Sequence, residues 1–148
     1  MLFPCLIKNT LKTDPLFKHI VLIVEDNDFQ INILSYFMKY YNIKYVVAKN
    51  GHMAVASYDE KSKYNEFFNL ILMDIEMPFL DGFQATFKIR QIEKTKNYQR
   101  TFICGMSSTE TKDIEAKCKE IGMDHFLKKP LRALMLIELI NNISKESN

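Results

Sequence analysis

The sequence lacks the features of a secreted, zinc-binding or membrane-spanning protein. Its three cysteines form an odd set without a Cys-x-x-Cys pair, a pattern that suits a reducing compartment and not a disulfide framework. No apolar run approaches the roughly 20 residues that a membrane helix needs. The apolar start, residues 1–7, has no basic segment before it and is too short for a signal peptide. We therefore expect a soluble intracellular protein in the cytoplasm, with the nucleus as a second compartment.

Strong charge and low-complexity sequence are also missing. The formal net charge of +2 indicates neither the presence nor the absence of a nucleic-acid partner. The chain has 148 residues, of which 47% are hydrophobic, and this is enough for one domain with its own core. Residues 1–18 show no clear period. We expect them to form an N-terminal extension ahead of a single domain at residues 19–145.

Short apolar runs alternate with amphipathic stretches throughout that domain. Five runs are typical of strands, namely residues 20–24, 44–48, 70–73, 101–106 and 125–128. Helical stretches follow them, with Asp28 expected to cap the first helix and residues 107–109 the fourth, which Gly122 ends. The alternation predicts an α/β fold with a five-stranded parallel sheet and helices on both faces.

Polar side chains stand at the carboxyl ends of these strands, where open α/β sheets bind ligands. Glu25 and Asp26 follow the first strand, and Asp74 follows the third. If those two strands are neighbours, three carboxylates meet, and their repulsion favours a bound divalent cation. An all-oxygen ligand set points to Mg²⁺. Ser107 and Lys129, after the fourth and fifth strands, are suited to hold a phosphoryl group that Asp74 accepts as nucleophile.

Each of these residues also has an ordinary interpretation when taken alone. Glu25 and Asp26 could be a solvated loop pair, and Lys129 could be a surface charge. Ser107 could be a helix cap, and Phe126 could be a core residue. Their meeting at one sheet edge is what separates a site from these alternatives.

Five segments carry a resemblance to a known family, namely Val24–Asn27, Leu72–Pro78, Asp81–Gly82, Met106–Ser107 and Lys129–Pro130. Together they resemble the receiver domain of response regulators, the CheY-like family, over about residues 19–143. The resemblance implies a doubly wound, flavodoxin-like (βα)5 sandwich whose five-stranded parallel sheet has the order 2-1-3-4-5. It implies that Asp74 is the phosphoacceptor and that Ser107 and Lys129 hold the phosphoryl group. It also implies a cis Lys129–Pro130 peptide and a switch formed by Ser107 and Phe126.

The same resemblance implies a Mg²⁺ site. Asp26 and Asp74 would bind the ion directly, Glu25 would act beside them through water, and Glu76 would offer its backbone carbonyl. Some positions depart from the commoner pattern of the family. Ser107 stands where Thr is frequent, Phe126 replaces a frequent Tyr, and Gly105 stands where Ala is common. The stretches 58–69 and 94–100 are somewhat long. None of these departures removes a chemical group from the pocket.

The implied function is signalling and not the turnover of a substrate. A receiver takes its phosphoryl group from a histidine kinase or a histidine-containing phosphotransfer protein, and it catalyses only its own phosphorylation and dephosphorylation. Because no DNA-binding or enzymatic domain follows the last helix, we expect output through contact with an unidentified downstream protein or through onward phosphoryl transfer to a phosphotransfer protein. We expect no direct binding to nucleic acid or membrane. The opening Glu25-Asp26-Asn27 is similar to receivers of hybrid histidine kinases. We therefore expect a stand-alone receiver similar to eukaryotic stress response regulators, with a fragment of a hybrid histidine kinase as the alternative.

Two further interpretations stay open at this point. A haloacid-dehalogenase-like phosphatase also places a nucleophilic Asp after a buried strand, with a second acid two residues later. Here Glu76 occupies that second position, and the acidic pair Glu25–Asp26 has no role in such an enzyme. A degenerate receiver that binds partners without phosphorylation usually loses the acceptor, the acidic pair or the lysine, and this sequence keeps all of them.

Overall fold

The computed structural model describes residues 20–146, in which five strands alternate with five helices. The strands form one parallel sheet in the order β2-β1-β3-β4-β5, which confirms the predicted fold class and topology. The predicted extension, residues 1–18, lies outside the described residues, as does His19. In chain order the elements are β1 (Ile20–Val24), α1 (Asp28–Tyr40), β2 (Lys44–Ala48), α2 (Gly51–Lys63), β3 (Leu70–Asp74), α3 (Gly82–Lys96), β4 (Phe102–Ser107), α4 (Lys112–Ile121), β5 (His125–Lys128) and α5 (Ala133–Glu146).

The sheet is covered by an apolar layer on each face. Alternate side chains of β1 and β3, such as Leu22 and Ile71, pack with α2, α3 and α4, whereas Ile23 and Leu72 pack with α1 and α5. Burial on both faces explains why these strands read as unbroken apolar runs. Cys104 is part of this core, as predicted. None of the helices within the described range is long and apolar enough to cross a bilayer.

Two predicted helix caps were wrong. The side chain of Asn27, and not that of Asp28, caps α1 by accepting the backbone N–H of Gln30 at 3.1 Å. Asp28 is the first helical residue, where the positive end of the helix dipole favours a carboxylate. Thr111 caps α4 in place of residues 107–109. That cap leaves the hydroxyl of Ser107 available to other partners. Gly122 ends α4 in a left-handed conformation with φ of 97°, as predicted.

The start of α3 packs directly on the end of β3. The N–H of Gly82 donates to the carbonyl of Ile75 at 3.0 Å, and a Cβ on Gly82 would lie 2.2 Å from the backbone carbonyl oxygen of Asp74. The preceding Asp81 forms a capping box with Gln84, so the helix begins at a defined residue. The predicted Asp81–Gly82 loop thus fixes the backbone beside Asp74.

We expect Gly82→Ala to lower the free energy of unfolding by about 2 kcal/mol or more, because the new methyl group meets backbone that cannot move aside. Chemical denaturation would measure the loss. Gly105→Ala is the matched control. Its nearest contact would be Met123 Sδ at 2.7 Å, the end of a flexible side chain, so the cost should be well under half as large. Equal losses for the two variants would contradict this explanation.

A partly buried ion-pair network stabilises the opposite end of the sheet. The guanidinium of Arg90 donates to both carboxylate oxygens of Glu93, at 2.7 and 2.9 Å, and to Asp124 at 2.9 Å. It also donates to the carbonyls of Gly122 at 3.0 Å and Thr101 at 2.8 Å. These bonds join α3 to the segments that enter β4 and β5. The network was not predicted, because its members are spread over the sequence without a motif.

Candidate functional site

The predicted polar residues do meet at one edge of the sheet. Asp74 is the last residue of β3, and β1 pairs with β3 such that Val24 lies opposite Met73. Glu25 and Asp26 therefore follow directly beside it. β4 flanks the other side of β3 and ends at Ser107. Lys129, which follows β5, reaches Glu25 across 104 positions of sequence. The strand order, and not nearness in sequence, builds this pocket.

Three carboxylates form the acidic side of the pocket. Glu25, Asp26 and Asp74 each offer one oxygen, and these oxygens all lie within 4.8 Å of one another. Glu25 and Asp74 are only 1% and 2% exposed, whereas Asp26 is open to solvent. An all-oxygen set with a solvent-facing member fits a hard divalent cation that keeps part of its water shell. The donor chemistry therefore agrees with the Mg²⁺ that the sequence predicted.

Lys129 supplies the positive charge that balances these carboxylates. Its ammonium Nζ lies 2.7 Å from Glu25 Oε2 and 3.0 Å from Asp74 Oδ1. Burial disfavours the charge on this ammonium, but the hydrogen bonds to Glu25 and Asp74 outweigh burial and raise the pKa of Lys129. The ammonium of Lys129 therefore stays charged at neutral pH and contacts Asp74 Oδ1.

The Asp74 carboxyl is hard to ionise in the absence of a metal ion. Burial is the main cause and raises the pKa of Asp74 to about 7, and the negative charge of Glu25 adds to the effect. Lys129 acts in the opposite direction but does not cancel it. A cation bound between the carboxylates would favour the ionised, nucleophilic form of Asp74.

This raised pKa predicts a pH-dependent stability of the metal-free protein. Because the folded pKa of about 7 exceeds the ordinary 3.8, the unfolded chain loses its Asp74 proton first as the pH rises. The free energy of unfolding should therefore fall between about pH 4 and 7 and stay low above that. We expect Asp74→Asn to be more stable than the wild type at pH 8, by about 2 to 4 kcal/mol.

Denaturation of both proteins between pH 5 and 8, with and without Mg²⁺, would measure this difference. Millimolar Mg²⁺ at pH 8 should stabilise the wild type more than Asp74→Asn, because the ion binds only the folded pocket. A gap between the two proteins that does not change with pH would contradict the assigned cause.

The hydroxyl of Ser107 lies in a network that sequence reasoning only partly anticipated. It donates to the side-chain carboxylate of Glu76 and accepts the N–H of Thr109 at 3.0 Å. The backbone N–H of Glu76 lies 3.3 Å from Asp74 Oδ1. Only the backbone carbonyl of Glu76 was predicted to take part in the site. Its position two residues after Asp74 was the available signal that its side chain also belongs to this edge.

Phe126, the predicted switch residue, lies on β5 opposite Gly105. The ring is half-buried and packs against the apolar layer that α2, α3 and α4 cover. This placement is compatible with a core role and with a switch, and the switch stays a prediction. The Lys129–Pro130 peptide is cis, as the resemblance implied.

Comparison with known proteins agrees with this geometry. Residues 21–141 match the profile described as the response regulator receiver domain. The peroxide stress-activated histidine kinase mak1 of Schizosaccharomyces pombe is 32% identical over 128 residues, which cover 86% of this chain and 8% of that kinase. The chain spans less than a tenth of the length of the first curated relatives it matches, which include hybrid histidine kinases of Dictyostelium discoideum.

Solved structures show the same fold in the same kind of domain. The receiver domain of the Saccharomyces cerevisiae response regulator Ssk1, in complex with the histidine phosphotransfer signaling protein Ypd1, is 31% identical with a TM-score of 0.74, covering 86% of this chain and 87% of that chain. The receiver domain of the Arabidopsis thaliana histidine kinase CKI1, complexed with Mg²⁺ and BeF₃⁻, is 26% identical with a TM-score of 0.75, covering 86% and 90%. These findings favour the receiver over the phosphatase alternative. The chain belongs to the response regulator receiver domain family.

Proposed function

We propose that this chain accepts a phosphoryl group on Asp74 from a phosphohistidine, as the receiver of a His-to-Asp phosphorelay. The observation that carries the proposal is the position of Lys129 Nζ, 3.0 Å from Asp74 Oδ1 within the acidic cluster. A buried acid that keeps one oxygen beside a fixed cation is suited to a reaction in which negative charge arrives at that oxygen.

The residues divide the chemistry between them. A carboxylate oxygen of Asp74 attacks phosphorus and forms the new O–P bond. The N–P bond of the phosphohistidine breaks, and its electron pair stays on the imidazole nitrogen. Lys129 and the hydroxyl of Ser107 donate hydrogen bonds to the phosphoryl oxygens. Glu25, which is bonded to Lys129 at 2.7 Å, holds the ammonium in place.

The metal would be held by Asp26, Asp74 and the backbone carbonyl of Glu76, with Glu25 acting beside it. When bound, Mg²⁺ offsets the negative charge that the phosphoryl group brings into the pocket. Two observations support this assignment. The donor set consists of oxygen atoms only, and the similar receiver domain of CKI1 was solved in complex with Mg²⁺.

A row of exposed apolar side chains on α1 supports a protein, and not a small molecule, as the phosphoryl donor. Phe29, Ile33, Tyr36 and Tyr40 are 69%, 45%, 72% and 38% exposed, and their spacing of four, three and four residues places them on one face. The helix starts at Asp28, two residues after Asp26, so the first turn of this face is close to the acidic pair. Phe79, in the loop after Asp74, is also exposed. The complex of the Ssk1 receiver with a phosphotransfer protein favours the same kind of partner.

We expect the double variant Phe29→Ala/Tyr36→Ala to slow transfer from a phosphorylated histidine phosphotransfer protein by about 10- to 100-fold, because aromatic anchors dominate docking energies. Labelling by acetyl phosphate should not change, since that donor needs no docking face. Met53→Ala, which removes an exposed apolar side chain from α2, is the control. Equal slowing with both donors would place the defect in the pocket and not at a docking face.

Intact mass spectrometry after incubation with Mg²⁺ and acetyl phosphate tests the proposal directly. The expected result is a gain of one phosphoryl group per chain, lost again at alkaline pH as acyl phosphates are. Continued release of phosphate far beyond one equivalent from a generic phosphomonoester would favour a phosphatase.

We infer further that output occurs through contact with a downstream protein. Two points stay predictions from sequence. One is the location in the cytoplasm, with the nucleus as a second compartment, and the other is the boundary between the N-terminal extension and the receiver domain at residue 19.

A further inference from the structure

The hydroxyl of Ser107 already has a partner in the unphosphorylated protein. It donates its proton to the carboxylate of Glu76 and accepts the N–H of Thr109. A serine hydroxyl has a single proton to donate. It therefore cannot bond Glu76 and a phosphoryl oxygen at the same time. A phosphoryl group on Asp74 that uses Ser107 has to displace the side chain of Glu76.

The displacement is mechanically simple. The backbone of this segment is held by the N–H of Ile75, which donates to the carbonyl of Met106 at 2.9 Å, and by the N–H of Glu76, 3.3 Å from Asp74 Oδ1. Glu76 itself is exposed, so its side chain can rotate into water without breaking these bonds. The contact is local and reversible, in contrast to the buried pairing of Glu25 with Lys129.

Charge adds to the competition for the proton. The bond to the buried Ser107 holds the carboxylate of Glu76 at the sheet edge that also carries Glu25, Asp26 and Asp74. Because Glu76 is exposed, water screens part of its charge, so its repulsion of an incoming anion adds to the competition without dominating it. While it is bonded to Ser107, the carboxylate of Glu76 therefore occupies the serine hydroxyl and also opposes the entry of an anion.

We propose that the side chain of Glu76 is a gate on Ser107, which withholds the hydroxyl from the phosphoryl group until the carboxylate rotates outward. The inference rests on the proposed phosphoacceptor function. It makes Glu76 a positioning residue that lowers the rate of phosphoryl acquisition. It also predicts that the pocket binds phosphoryl-like anions more tightly without this carboxylate.

The test compares Glu76→Ala and Glu76→Gln with the wild type in Mg²⁺ and acetyl phosphate. We expect alanine to raise the labelling rate by about tenfold, since it removes a charge-assisted bond. Glutamine should give a smaller increase, because its neutral amide oxygen still accepts the hydroxyl proton. Beryllofluoride affinity, measured by calorimetry, should rise in the same order. Glu110→Gln, which removes a charge in the loop after β4, is the control and should leave both quantities unchanged.

Two further measurements separate a gate from a general charge effect. In a Ser107→Ala background, Glu76→Ala should change the labelling rate by much less than it does in the wild type. In the metal-free protein, Glu76→Ala should shift the NMR amide signal of Thr109, whose N–H is bonded to the same hydroxyl. A full effect without Ser107, or an unmoved Thr109 amide, would overturn the proposal.

The possible results also distinguish a failure of the gate from a failure of the proposed phosphoacceptor function. A wild type that takes no label with Mg²⁺ would refute the phosphoacceptor assignment. If the wild type is labelled and both Glu76 variants react at its rate or more slowly, the function stands and the gate is wrong.

Discussion

Asp74→Asn is expected to abolish phosphoryl labelling by small-molecule donors and by phosphotransfer proteins alike. The amide has nearly the shape of the carboxyl group but carries no anionic oxygen to form the O–P bond. Lys129 keeps its 2.7 Å bond to Glu25, so the pocket retains one of its two ion pairs. Loss of label should therefore reflect chemistry and not unfolding. The expected gain in stability at pH 8 supplies an independent sign that the variant is folded.

The matched control is Asp81→Asn, seven residues along the same segment. Asp81 accepts the N–H of Gln84 at 2.8 Å as the cap of α3, and asparagine can make the same bond. This variant should be labelled like the wild type in an intact-mass assay with Mg²⁺ and acetyl phosphate. Residual label on Asp74→Asn at wild-type stoichiometry would assign the acceptor to another residue and sink the proposed function.

The strands were predictable because burial on both sheet faces produces unbroken apolar runs in the sequence, whereas their order followed from the resemblance to receiver domains. Runs such as Leu70–Met73 contain no polar residue until the strand ends at Asp74. Given that order, placing Asp74 beside Glu25 required only the rule that ligands gather at the carboxyl ends of parallel strands. These two inferences account for the correct placement of the acidic cluster.

Local polar chemistry was less predictable, because several residues could have made each bond. Asn27 and Asp28 are both good caps, and only the backbone conformation, extended at Asn27, decides between them. The cap of α4 lies at Thr111, four residues beyond Ser107. The side chain of Glu76 and the partners of Arg90 depend on rotamers and on segments that approach in three dimensions. No spacing in the sequence encodes those contacts.

Lys129 is expected to matter nearly as much as Asp74. In Lys129→Met, the pocket keeps its oxygen ligands but loses the cation that contacts Glu25 and Asp74. We expect the labelling rate with Mg²⁺ and acetyl phosphate to fall by about 10²- to 10³-fold, the usual cost of removing one preorganised group that stabilises developing charge.

The same change should destabilise the metal-free protein at pH 8, because removing one partner leaves buried carboxylates without a counter-charge. Losses of about 3 kcal/mol are typical for such a pair. Since Lys129 lowers the pKa of Asp74, its removal should also move the fall in stability to higher pH. Mg²⁺ should restore much of the stability, whereas the labelling rate should stay low, because the ion cannot replace the hydrogen bonds of the ammonium.

Lys128→Met tests whether these effects belong to Lys129 or to positive charge in general. The Lys128 side chain is 54% exposed and pairs with Glu110 at 3.4 Å on the surface, where ion pairs contribute about 0 to 1 kcal/mol. We expect near wild-type stability and labelling for this variant. If the neighbouring lysines gave equal losses, the rate would depend on the net charge at the end of β5, and the contact of Lys129 with Asp74 would have no special role.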